Sequence, residues 1–268
     1  MPTIAENQHT WDKSYEWEQQ GDEWSLFWGG AEAQWVGSIL PRIQALMPTG
    51  TILEIAPGFG RWTNYLRKYC DRLVVVDLSE KCINACQQRF AADKHITYHV
   101  NDGKSLATIP DNSIDFVFSF DSLVHAEADV MEIYLAQIAT KLTPNGVGFI
   151  HHSNLGRYQR AFSAISQIPS DLQAEVVNKV LLEPTHWRAA SMTAELFVEY
   201  CDRANLQCIS QELVNWGNEG LLIDSFSIFT SKQSTRSRDN QVIENLAFMQ
   251  EADSIAKLAH LYTSKLRK

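Results

Sequence analysis

Three acids stand at the ends of short apolar runs: Glu54, Asp77 and Asp102. Glu54 lies in Leu53-Glu54-Ile55-Ala56-Pro57-Gly58-Phe59-Gly60, where the glycines allow backbone to approach a ligand closely. Asp77, followed by Leu78, can accept both hydroxyls of a ribose, and Asn101-Asp102-Gly103 can accept an exocyclic adenine amine. Each acid alone could be a helix N-cap; the three in succession suit a nucleoside. A second set can move protons. Phe118-Ser119-Phe120-Asp121-Ser122-Leu123-Val124-His125 and Ile150-His151-His152-Ser153-Asn154 bring three histidines and Asp121 to the ends of two further runs. A histidine near its intrinsic pKa suits removal of a hydroxyl proton. Adjacent strand residues face opposite ways, so His151 and His152 cannot both point inward unless the strand has ended. His152 is the expected base, His125 the second candidate, and Asp121 would orient the base or bind a hydroxyl. Each histidine alone could equally be a hydrogen-bonded structural residue. His186-Trp187-Arg188 sets an aromatic beside a cation, which suits a sugar ring, an anionic group or a packed hinge. Trp28, in a tryptophan-rich leader, is a further candidate for substrate contact.

These residues need a scaffold that gathers strand ends on one edge. Thr51–Ala56, Leu73–Val76, Ile96–Val100, Ile114–Phe120 and Gly146–His151 read as strands. Arg61–Tyr69, Glu80–Phe90 and Ala128–Leu142 read as helices between them. Short apolar strands alternating with helices predict an α/β fold with a parallel sheet covered on both faces. Such sheets bind ligands at the carboxyl ends of their strands. Residues 1–50 form an aromatic helical cap carrying five of the eight tryptophans, and Gly29-Gly30 could turn it close to a cofactor. Residues 155–190 suit a lid inserted into the 51–230 domain. Thr193 can cap a helix running to Ala204, and Leu206–Val214 and Leu221–Thr230 read as a terminal hairpin. Residues 231–268 read as a linker and an amphipathic helix, docked on its own domain, on a second copy or on a partner.

As a set, the glycine loop, Asp77, Asn101-Asp102-Gly103, Ser113-Ile114-Asp115-Phe116-Val117 and Leu142-Thr143-Pro144-Asn145-Gly146 resemble the class I S-adenosylmethionine (SAM)-dependent methyltransferases in order and spacing. The likeness covers residues 53–150, and about 180 residues once the last two strands are included. It implies a doubly wound, seven-stranded sheet with the last strand antiparallel. It also implies that Glu54 and the Ala56, Gly58 and Gly60 backbone hold the methionine end of SAM. Asp77 and Leu78 would bind the ribose, Asn101, Asp102 and Gly103 the adenine, and Phe120 would lie near the cofactor where main-chain carbonyls hold the ammonium. Ala56 and Pro57 depart from the pattern, standing where the family usually has Gly and any residue. A nicotinamide site is disfavoured, since Gly58-Phe59-Gly60-Arg61-Trp62-Thr63 lacks the third glycine of that fingerprint.

Composition trims the alternatives. The 268 residues carry a net charge of −9, which argues against coating nucleic acid. No run approaches the roughly 18 apolar residues of a membrane span, and no leader signal is evident, so a cytoplasmic chain is expected. The five cysteines include no CxxC, and no pair of acidic ligands stands out, so neither disulfides nor a divalent metal is expected. The expected activity is methyl transfer from SAM, giving S-adenosylhomocysteine, to a hydroxyl of a small molecule or glycan. An amine acceptor and a catalytically silent SAM-binding subunit are the alternatives.

Overall fold

A computed structural model describes residues 3–165, 167, 188–217 and 220–263. His186 and Trp187, and most of the expected lid, lie outside the described residues.

The strands are β1 (Thr49–Ile55), β2 (Cys70–Asp77), β3 (Ile96–Val100), β4 (Ile114–Ser119), β5 (Leu142–Ser153), β6 (Leu206–Val214), β7 (Asp224–Ser231) and β8 (Gln241–Asn245). They form one sheet in the order β3-β2-β1-β4-β5-β7-β6-β8. β1 to β5 pair in parallel, and β7 runs antiparallel to β5 and β6. The reversal of strand order between β1 and β4 opens the carboxyl edge there, where α/β sheets take ligands. The sheet has eight strands rather than the expected seven. β8, drawn from the segment read as a linker, pairs in parallel with the outer edge of β6.

Each face of the sheet carries its own core. On one face, Leu53, Ile55, Val117 and Ile150 pack with Leu135 and Ile138 of the Ala128–Lys141 helix and Phe197 of the Ala194–Arg203 helix. On the other, Ile52, Phe116, Phe118 and Phe149 meet Trp35, Ile39 and Ile43 of the N-terminal segment and Ile83 of the Glu80–Arg89 helix. The alternation along β5 carries through to its end: Phe149 and Ile150 go to opposite cores, and so do His151 and His152. Side-chain caps start two helices, Ser79 accepting from the Cys82 amide and Thr193 from that of Leu196.

The ends of the chain pack on each other. The Phe248–Thr263 helix buries Phe248 and Ala252 against the second core. Phe248 lies 5.1 Å from the Trp28 ring. A Cβ on Gly29 would come within 2.9 Å of Ala259, so Gly29 serves this helix contact rather than an approach to a cofactor. Arg42 ties the same region together through Glu212 and Glu251 at 2.7 and 2.8 Å.

Candidate active site

The glycine loop leaves β1 through Ala56 in a left-handed conformation, φ 57°. The Ala56 amide donates to the Val76 carbonyl at 2.8 Å, and its own carbonyl accepts from Ser122 Oγ at 2.7 Å. Those bonds hold a residue that would adopt this region more readily as glycine. Ala56→Gly is therefore expected to stabilise the protein by about 0.5–1 kcal/mol, the relief of left-handed strain exceeding the added chain entropy. Chemical denaturation checks this. Gly58 follows at φ 58°, and a Cβ there would fall 2.6 Å from the Trp17 ring.

Asp77, at the end of β2, is 5% exposed. Its carboxylate accepts from the Ser79 amide at 2.8 Å and the Gly58 amide at 3.3 Å. Burial pushes its pKa up to about 7, against the opposing pull of those two amides, and Asp12 adds to the rise. Glu54 is wholly buried one layer beneath. Its Oε2 accepts from Thr63 Oγ1 at 2.5 Å, and burial raises its pKa to about 8.

A cavity of about 400 Å³ opens over this edge. Its floor is the Ala56–Gly58 turn, Asp77, Leu78, Gly103 and the Phe120–Ser122 turn. Its roof is the N-terminal segment, through Ile4, Asn7, Trp11, Trp17 and Trp24, and Arg188 and Trp216 stand in its wall. Trp17 stacks on Phe59 at 4.5 Å, and the Asn7 side chain donates to the His125 carbonyl at 3.2 Å, pinning roof to floor.

Two charges meet in this wall. Arg61 is 6% exposed, and its Nη2 donates to Asp121 Oδ2 at 2.8 Å while its guanidinium lies over the Trp62 ring. Asp121 itself is left-handed, φ 59°, a non-glycine strain of the kind stored at functional sites. Its amide donates to His151 Nδ1 at 3.1 Å. His151 Nε2 lies 3.0 Å from Asp224 Oδ2, and Asp224 also takes the Arg188 guanidinium at 2.8 Å. Burial alone would raise the Asp224 pKa; the Arg188 guanidinium outweighs it and holds the carboxyl well below its usual range.

The expected site residues divide under this geometry. Ala56, Gly58, Asp77, Leu78, Gly103, Phe120, Asp121, His125 and Arg188 line the cavity. Glu54 and Gly60 do not line it; the Glu54 carboxyl accepts from Thr63 Oγ1 instead. Asn101 and Asp102 turn into their own loop. Asn101 bonds Ser105 and Tyr134, while Asp102 accepts the Lys104 and Ser105 amides, bonds that lower its pKa. Trp28 is core, 2% exposed between Phe248 and Trp216. His152, the expected base, faces the opposite side of β5. Its ring stacks on Phe197 at 4.3 Å and its Nε2 meets Ser227 Oγ at 2.8 Å. Burial lowers its pKa to about 4. The histidine among the described lining residues is His125, half-buried, with the Trp11 ring 5.5 Å away. Arg61, Trp11, Trp17, Trp24 and Trp216 were not singled out from sequence. The available signal for Arg61 was a cation set directly after a glycine loop. Among the described residues, no group of three or more His, Cys, Asp or Glu could hold a metal ion, and no helix is long and apolar enough to cross a membrane.

The donor set fits SAM. Asp77 offers carboxylate oxygens to a ribose diol, and Arg61 with Asp121 offers opposite charges to a zwitterionic amino acid. Comparison with known proteins agrees. Residues 52–146 match the family described as methyltransferase domain. Phosphoethanolamine N-methyltransferase 1 of Triticum aestivum is 31% identical over 119 residues, covering 42% of this chain and 24% of that protein. Ribosomal RNA small subunit methyltransferase A of Coxiella burnetii is 25% identical over 118 residues, covering 38% of this chain and 46% of that protein. The chain thus spans less than half the length of these curated relatives. The solved DhpI–SAM–HEP complex shares the fold, with a TM-score of 0.54 and 17% identity over 84% of this chain and 97% of that one. Residues 52–146 thus match the methyltransferase-domain family, within a sheet whose fold is shared with a solved SAM complex.

Proposed function

We propose that the chain transfers the methyl group of SAM to a hydroxyl of a small molecule or glycan, with His125 as general base. The observation that carries this reading is the cavity, which is lined by Asp77, the Arg61–Asp121 pair and His125 together. SAM supplies an activated methyl on a sulfonium. The protein must align the acceptor and keep water out. Asp77 would bind the ribose hydroxyls, Arg61 the carboxylate and Asp121 the ammonium of the methionine end. The tryptophan roof excludes water and offers faces on which a sugar or planar ring can stack. His125 Nδ1 or Nε2 would take the hydroxyl proton.

A second reading is methyl transfer to an amine. The wheat relative's name favours it, and Asp121 and Glu127 bring carboxylates to the cavity wall. The net charge of −9 supports a small acceptor over RNA in either case. Transfer from SAM labelled in its methyl group into a fractionated host extract tests the proposal. Label recovered as an ether in the metabolite or polysaccharide fraction is the expected result. A methylamine would move the reading to the amine acceptor, and label in RNA would overturn both.

A further inference from the structure

We propose that His151 is a positioning residue, a neutral imidazole that carries its proton on Nε2 beside Asp224, accepts the strained Asp121 amide on Nδ1 and so holds the Asp121 carboxylate at the cavity wall. The Asp121 amide can only donate, so the Nδ1 it meets at 3.1 Å must accept. The ring proton of the neutral form therefore sits on Nε2, 3.0 Å from the Asp224 carboxylate. A second ring proton would face the Asp121 N–H. The ring has little room to turn, with Phe120 at 4.8 Å, Phe226 at 4.8 Å and Trp216 at 5.0 Å. A left-handed aspartate persists only where its surroundings over-determine it. Here two bonds do so, His151 on the amide and Arg61 on the carboxylate. The chain of contacts runs Arg188–Asp224–His151–Asp121–Arg61, from one wall of the cavity to the glycine loop.

The functional consequence rests on the reading that the cavity binds SAM. Two variants separate the two ends of the imidazole. His151→Asn leaves an oxygen near the Nδ1 position, able to accept from the Asp121 amide. His151→Gln leaves a donor near Nε2 for Asp224 but no acceptor for that amide. In calorimetric titrations, SAM affinity is expected to stay within about twofold of wild type in His151→Asn and to fall roughly tenfold in His151→Gln. A merely structural histidine would lose or keep affinity alike in both, and equal affinities overturn the proposal. Nitrogen-15 NMR of the cofactor-free wild type supplies the independent readout. An unprotonated Nδ1 and a protonated Nε2 at His151 are expected, and a protonated Nδ1 overturns the proposal. Failure of the wild type to bind SAM would instead sink the cofactor reading, with the NMR result still deciding the tautomer.

Discussion

Asp77→Ala is expected to weaken SAM binding roughly 100-fold or more, the largest cofactor effect of any single substitution in this site. Hydrogen bonds to a charged acceptor contribute about 1.5–3 kcal/mol each, and a ribose diol makes two. The same carboxylate holds the Gly58 and Ser79 amides, so its loss also loosens the turn that must pass close to the cofactor. Two effects therefore act in one direction. Isothermal titration of SAM checks the affinity, and thermal unfolding of the same variant separates a local loss from a global one. Affinity within about threefold of wild type would remove Asp77 from the ribose site.

His125→Ala is expected to lower kcat by roughly 10²- to 10⁴-fold, the range of a lost general base, with SAM affinity nearly unchanged. His125 lines the cavity with its ring 5.5 Å from that of Trp11, and its backbone carbonyl accepts from Asn7, a bond that the substitution leaves in place. Steady-state kinetics on the identified acceptor give the split. His152→Ala provides the contrast. That ring packs against Phe197 behind β5, so its removal should cost stability and leave the chemical step. If His152→Ala abolished turnover in a folded protein while His125→Ala kept it, the assignment of the base would be reversed.

The sheet was legible because β1 to β5 carry their own signal, short apolar runs bounded by turns, and β3 and β6 have the bounds the pattern suggests. β8 carried none. Gln241–Asn245 is largely exposed and joins through backbone bonds to β6, which no side-chain period announces. Loop chemistry pointed to part of the cavity lining. Asp77 and Gly58 line the cavity, joined by the Gly58 amide, and Ala56 keeps the turn at the cost of a left-handed alanine. The catalytic side was harder. Alternation says that His151 and His152 face apart, but which one faces the cavity depends on which core claims Phe149 and Ile150. Neither histidine reaches the cavity. One packs on Phe197 and the other closes on Asp121 and Asp224. The tryptophan roof shows the same limit. Composition marked the leader as a cap, but only its path over the edge distinguishes Trp11, Trp17 and Trp24 in the roof from Trp28 in the core.

A crystal structure of the protein with S-adenosylhomocysteine tests the central claim most directly. The account predicts both ribose hydroxyls within hydrogen-bond distance of the Asp77 carboxylate. It predicts the amino-acid end between Arg61 and Asp121, and the sulfur turned toward His125. A nucleoside bound elsewhere, or with its amino-acid end away from Arg61 and Asp121, would contradict it.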